Sequence, residues 1–356
     1  MVEGWVEHPG GRHHGAHGAA ASRSLDFEER NLLDFSQNIN PLGVPAEAME
    51  AARRALREDA GRYPDAGYRL LRDALASYLG VSSAKILPTN GGAEALFLAA
   101  RGARAGGKAL ILEPTFSEYA AAARAANLEP VSRVTRRAET GFRFDPAVLE
   151  DLDGVSLVFL CNPNNPTGDA LERAQVLEVA DRVLGNGAVL VVDEAFADFV
   201  PEISVVAEAD GNLYVARSFT KFFGIPGLRL GCLVCANPGF VQRYQPSWPV
   251  NAVAAATGTA AVSDQDFVDA SVAEVTRLRE ELLLGLGTLP GVTAFPGVAN
   301  FLLVHGPDGL SVRLARRGVL VRGCEPFLGL GPGYFRVAVR SAAENERLLA
   351  GIREEL

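Results

Sequence analysis

The sequence predicts an α/β protein with a large doubly wound domain followed by a smaller α+β domain. Three observations predict it. Short runs that are apolar throughout alternate with helix-length segments. The runs end in loops that hold Asn, Asp, Gly and Pro together. After about Ser263 the alternation gives way to one long helix and a new set of strands.

Taken in order, residues 1–33 are an arm or substrate-covering segment, since 1–30 are Gly-, Ala- and His-rich with little periodicity. Residues 34–262 form the large domain. Its strands are expected over 109–112, 156–160, 188–192, 213–216 and 228–234, each apolar on both faces as in a covered parallel sheet. Helices over 94–103, 118–126 and 171–184 connect them. The small domain, 263–356, opens with a helix over 265–286. Strands follow over 292–295, 301–305, 319–322 and 334–339, and a helix over 342–356 closes it. No internal repeat interrupts this order.

The 356 residues carry a formal charge of −9, which argues against a nucleic-acid partner. No apolar run reaches the ~18–20 residues of a membrane helix. The start lacks the basic and apolar stretches of a secretory signal. Four cysteines in a chain this long make no disulfide framework, so a cytoplasmic location is expected. Cys232 and Cys235 form a CxxC inside an apolar run, and their offset of three points them to opposite faces of a strand. A zinc site needs further ligands nearby, so the pair reads as inert core and no metal is expected. Lys85, Lys108 and Lys221 are the only lysines, which narrows any search for a catalytic amine.

Five features fall where a strand ends and a loop begins, the place where open α/β sheets put ligands. Thr89-Asn90-Gly91-Gly92-Ala93-Glu94 opens a helix. Its small residues let backbone N–H groups reach an anion, although glycine before a helix is also an ordinary turn. Asn162-Pro163-Asn164-Asn165-Pro166-Thr167-Gly168 is a sharp turn from which Asn165 can present its amide to a polar ring substituent. The alternative there is asparagines bonding their own backbone. Asp193-Glu194-Ala195-Phe196 puts a carboxylate after five apolar residues, which is costly unless a positive group meets it. A protonated pyridine nitrogen is one such group; a structural salt bridge is the other.

Ser218-Phe219-Thr220-Lys221 sets the lysine between a strand and a Gly-Pro loop. An amine in a low-dielectric pocket near other cations is more readily neutral, as Schiff-base chemistry requires. Ser218, and Arg229 eight residues beyond the lysine, can bring a hydroxyl and a guanidinium fork to one phosphate. Finally, Arg322 and Arg336 lie in apolar strands, where an arginine needs an anion, structural or ligand.

On these strings the chain resembles the class I/II aminotransferases of fold type I, the aspartate-aminotransferase fold, along nearly its whole length. The resemblance implies pyridoxal 5'-phosphate as cofactor, anchored on Lys221, with Asp193 paired to the pyridine nitrogen. It implies Asn165 at the ring hydroxyl and Phe116, in Glu113-Pro114-Thr115-Phe116, stacked on the ring. Ser218, Arg229 and the backbone of Ala93 and Glu94 would hold the cofactor phosphate. Tyr63, in Arg62-Tyr63-Pro64-Asp65, matches a tyrosine that reaches the neighbouring subunit's cofactor, which implies a homodimer. Arg336 matches the arginine that takes the substrate carboxylate.

Two branches of the superfamily are similar: the histidinol-phosphate aminotransferases and the threonine-phosphate decarboxylases of cobalamin synthesis. Residues 34–43 (Asp-Phe-Ser-Gln-Asn-Ile-Asn-Pro-Leu-Gly), Phe196 where the aminotransferases usually have tyrosine, Trp248-Pro249-Val250-Asn251 and residues 336–347 resemble the decarboxylase branch. That branch's substrate-binding His-Gly pair falls on His14-Gly15, where the chain continues Ala16-His17 instead of the usual Gly-Asn. The branch implies decarboxylation of O-phospho-L-threonine, a phosphorylated amino acid, with His14, Gly15, Asn38, Asn165, Arg322 and Arg336 around the substrate. Amino transfer is the alternative, and for His8, His13, His14 and His17 so is a weakly metal-binding arm. A DNA-binding regulator on this fold would need a helix-turn-helix, for which the residues before Asp34 leave no room.

Overall fold

The order of strands and helices decides which side chains can meet. The structure, a computed structural model, describes residues 32–135, 137–138 and 141–356. In chain order it contains β1 (Leu33–Asp34), α1 (Ala46–Glu58), α2 (Arg69–Leu79), β2 (Ile86–Asn90), α3 (Gly91–Ala100), β3 (Lys108–Glu113), α4 (Glu118–Ala125), β4 (Glu129–Val134) and β5 (Val155–Cys161). Then come α5 (Arg173–Gly185), β6 (Val189–Asp193), β7 (Leu213–Ser218), β8 (Leu230–Val234), α6 (Ala252–Ala261) and α7 (Gln265–Gly287). The C-terminal part holds β9 (Thr293–Phe295), β10 (Phe301–His305), α8 (Leu310–Arg316), β11 (Val319–Leu320), β12 (Arg322–Gly323), β13 (Tyr334–Ala338) and α9 (Ala342–Glu355).

The large sheet has seven strands in the order β2-β8-β7-β6-β5-β3-β4. Its members from β7 to β4 are mutually parallel, and β8 runs antiparallel to both neighbours. Strands β5 to β8 are buried along their whole length because both faces are covered. Alternation sorts their side chains into two cores. Val158, Leu160, Leu190 and Val192 join one, while Leu157, Phe159, Val189 and Val191 join the other. Each such side chain contributes roughly 1.5–3 kcal/mol on burial. A third core, with Leu278, Leu302, Val337 and Ile352, packs the C-terminal four-stranded sheet β12-β13-β10-β9. Leu33 and Phe35 belong to this third core, since β1 pairs in parallel with β11.

Three boundaries differ from the sequence expectation in ways that matter. The helix expected over 94–103 begins at Gly91, which puts Ala93 and Glu94 in its first turn. The strand expected over 188–192 runs one residue further, so Asp193 is its last residue. The strand expected over 319–322 is two pieces in different sheets, with β11 beside β1 and β12 beside β13. Cys232 and Cys235 are buried free thiols on opposite sides of the sheet. Burial pushes them up to about 12 and about 11, so neither is poised as a thiolate. Among the described residues no helix is long and apolar enough to cross a membrane.

Candidate active site

Strands β5, β6 and β7 end side by side, with Cys161 opposite Asp193 and Asp193 opposite Ala216. Asp193 is buried, and both its carboxylate oxygens accept hydrogen bonds. The Tyr119 hydroxyl donates to Oδ2 at 2.8 Å and the Ala195 N–H to Oδ1 at 3.0 Å. Burial lifts this carboxyl above its usual range, while the Tyr119 bond and the Lys221 charge oppose the rise.

Lys221 follows β7, and its amine donates to Ser218 Oγ at 3.2 Å. The amine lies 5.7 Å from the centroid of the buried Phe196 ring. Burial lowers its pKa to about 8; Asp193 opposes this, and the charges of Arg229 and Arg336 reinforce it. A neutral amine is therefore accessible near physiological pH, as imine chemistry requires.

Beside it lies a cradle that only glycine permits. A Cβ on Gly91 would sit 2.7 Å from the Arg229 guanidinium, and one on Gly92 2.9 Å from the Ser218 Cβ. A Cβ on Gly231 would strike the backbone of Gly91, Gly92 and Arg217 at 2.6–2.7 Å. The start of α3 thus abuts Ser218 and Arg229. The first-turn N–H groups of Gly91, Gly92, Ala93 and Glu94 lack intrahelical partners by construction, and Asn90 gives no side-chain cap. Arg229 holds the left-handed backbone conformation, φ 61°, uncommon for a residue with a side chain. Donors, dipole and guanidinium converge as an anion requires. Lysine, buried carboxylate and anion cradle together fit pyridoxal phosphate.

A second cationic cluster faces this one. Arg322 and Arg336 are buried and stand directly opposite each other on β12 and β13. Like charges at paired positions repel. Burial lowers both, Arg336 to about 10, with Arg322 adding to the fall and Cys324 opposing it. Arg336 donates to Asn165 Oδ1 and, at 2.8 Å, to the Ser36 carbonyl, while its Nε is buried without a partner among the described residues. Asn38 is buried with both amide atoms likewise unpartnered. Groups buried in this state cost free energy that a ligand can return.

Phe116 is half-buried, edge-on to Tyr119 at 5.9 Å. Tyr63 is exposed, with its ring 4.4 Å from Trp248, and the structure joins it to none of the groups above. His14 and Gly15 lie outside the described residues.

Sequence reading overlooked two groups. Tyr119 is one; a tyrosine at the start of an Ala-rich helix gives no sign that its hydroxyl meets Asp193. The other stands on the opposite face of the same strands. Arg217, on β7 next to Ser218, is buried and paired with Glu194 at 2.7 Å and with Asp198. Tyr78 donates to Asp198 at 2.8 Å. Burial opposes the charge on Arg217, but the two carboxylates outweigh it and hold its pKa above the usual value. Charged residues in the strings 193–194 and 217–218 were the available signal.

Fold and site together define an aminotransferase-like enzyme built around a lysine and a buried aspartate. The chain belongs to the class I and II aminotransferase family, whose profile matches residues 30–352. It is 39% identical to a threonine-phosphate decarboxylase of Salmonella typhimurium, covering 96% of each chain. It is 32% identical to histidinol-phosphate aminotransferase 2 of Archaeoglobus fulgidus, covering 92% of this chain and 94% of that one. Among solved structures, the histidinol-phosphate aminotransferase of Clostridium acetobutylicum superimposes with a TM-score of 0.84 at 26% identity, over 91% of this chain and 99% of the other.

Proposed function

We propose that the protein is a pyridoxal-phosphate-dependent decarboxylase that converts O-phospho-L-threonine to (R)-1-amino-2-propanol phosphate and CO2. The observation that carries this reading is the in-register pair Arg322 and Arg336, with the unsatisfied Asn38 amide two residues past the Ser36 carbonyl that Arg336 bonds. Two buried guanidiniums suit a substrate with two anionic groups, a phosphate and a carboxylate. The 39% identity to a threonine-phosphate decarboxylase supports the same substrate class.

Bound pyridoxal phosphate supplies an electron sink for whichever bond at the substrate Cα stands perpendicular to its ring. The protein selects that bond by pose. Arg322, Arg336, Asn38, Asn165 and the His14-Gly15 pair hold the two anions so that the C–COO⁻ bond takes the perpendicular position. The carboxylate leaves as CO2, its bonding pair stays with the Cα fragment, and the Lys221 ammonium returns a proton to Cα. Asp193 would pair with the ring nitrogen, Asn165 would meet the ring hydroxyl and Phe116 would cover the ring. Ser218, Arg229 and the N–H groups of Ala93 and Glu94 take the cofactor phosphate. Tyr63, exposed on one subunit, reaches the partner's cofactor in a cytoplasmic homodimer. The chain divides near residues 34 and 263, with Leu33 and Phe35 docked on the C-terminal core.

The test is the product. Given O-phospho-L-threonine and no 2-oxo acid, the cofactor-loaded enzyme is expected to release CO2 and form the amino-alcohol phosphate. Brisk amino transfer from glutamate to imidazole-acetol phosphate, with phosphothreonine left intact, would overturn the reading in favour of the aminotransferase branch.

Arg322→Ala is expected to weaken phosphothreonine binding ~30- to 5,000-fold, equivalent to ~2–5 kcal/mol for a buried charge contact. Cofactor affinity should be unchanged. Competition binding with the substrate phosphate ester checks the first and absorbance titration the second.

A further inference from the structure

We propose that Tyr119 is a positioning residue that fixes the Asp193 carboxylate against the cofactor's ring nitrogen. This rests on the reading above that Asp193 faces that nitrogen. It adds a residue on another element, and a reason for its placement.

Tyr119 lies in the first turn of α4 and is fully buried. Its ring is stacked almost flat on Phe159 of β5, centroids 4.8 Å apart and planes 8° from parallel. Phe116 meets it edge-on, at 5.9 Å and 84°. Fully buried and packed against two aromatic rings, the phenol holds its hydroxyl 2.8 Å from Asp193 Oδ2. Burial, then the neighbouring Asp193 charge, keeps the phenol pKa well above its usual value, so the hydroxyl donates. With the Ala195 N–H on Oδ1, the two donors leave the carboxylate plane no rotation that keeps both bonds. Phe116 and Tyr119 are three residues apart, so one helix start supplies the proposed ring-stacking group and the group that orients the ring's counter-ion.

A hydrogen bond to a carboxylate lowers its basicity. Removing it makes Asp193 a stronger competitor for the proton it shares with the ring nitrogen, and the ring a weaker electron sink. The titratable and charged groups near Asp193 are Tyr119 from α4, Cys161 opposite it on β5, Glu194 just past the end of β6 and Lys221 after β7.

Tyr119→Phe deletes the hydroxyl and keeps the stacked ring. In the cofactor-loaded enzyme, the pH midpoint of the cofactor's visible absorbance is expected to move upward by roughly half a unit or more. kcat should fall about tenfold while KM for phosphothreonine stays within about twofold, the pattern of an interaction stronger in the transition state. The same substitution placed on Asp193→Asn should add no further change, because the two residues act as one unit. An unshifted midpoint in Tyr119→Phe, or full additivity with Asp193→Asn, overturns the proposal. If Asp193→Asn alone leaves the spectrum untouched, the placement of Asp193 itself is wrong. A Tyr119→Phe protein that unfolds at lower denaturant but keeps its midpoint and kcat would make the contact merely structural, and would also overturn it.

Discussion

Lys221→Ala is expected to remove the visible absorbance of bound cofactor and to lower turnover by on the order of a thousandfold or more. The fold should survive, since the amine's hydrogen bond is a single contact to Ser218 Oγ. Lys85 donates to the Ala209 carbonyl and Lys108 to the Asp153 carbonyl, so neither stands near the cradle. Borohydride reduction followed by peptide mapping would locate the attachment; a stoichiometric adduct on either of them overturns the assignment. The amine pKa of about 8 adds a second expectation. Only the neutral amine attacks a carbonyl, so cofactor capture by the stripped enzyme should speed up as pH rises and level off above about 8. An ordinary lysine would keep accelerating towards ~10.4.

The second large effect concerns stability. Arg217→Met should cost ~3–5 kcal/mol, because it leaves two buried carboxylates facing each other without their cation. That is a large share of the ~5–15 kcal/mol that holds a typical domain. Urea unfolding should show a lower midpoint, and the variant should lose cofactor more readily because Glu194 and Arg217 flank Asp193 and Ser218 in sequence. A wild-type midpoint would mean that the ion pairs contribute no net stability.

The central strands were legible in the sequence because burial on both faces writes itself as a continuous apolar run. Phe301–His305 is found at its expected limits, and the strands of the large sheet lie within a residue or two of theirs. Of the strands missed, Ile86–Asn90 and Glu129–Val134 are the two edges of the large sheet. Each contains a proline, and the second is polar and partly exposed, so neither reads as a continuous apolar run in the sequence. Ala252–Ala261 was missed because AVAAATGTAA has almost no contrast between faces. Arg336 could be singled out as a charge inside an apolar strand, and Asp193, Asn165 and Lys221 as polar residues in the strings that follow apolar strands. Tyr119 could not, because its importance depends on a helix start lying over the end of β5. The pairing of Arg322 with Arg336 was hidden as well, since a spacing of fourteen residues says nothing about register.

Residues 33–40 work as a tie rod between the C-terminal core and the segment that carries Lys221. At one end, the Phe35 N–H donates to the Leu320 carbonyl at 2.7 Å, and the Phe35 carbonyl accepts from Ala338 at 2.9 Å. At the other, the Asn40 N–H donates to the Lys221 carbonyl at 3.0 Å, and its amide donates to the Phe222 carbonyl and Ser271. Between them lie the Ser36 carbonyl that receives Arg336, and Asn38. The rod is short, so any displacement of the C-terminal core would be transmitted to the lysine's own backbone. Arg336 and Lys221, the groups proposed for substrate and cofactor, are thus joined through one short stretch of backbone.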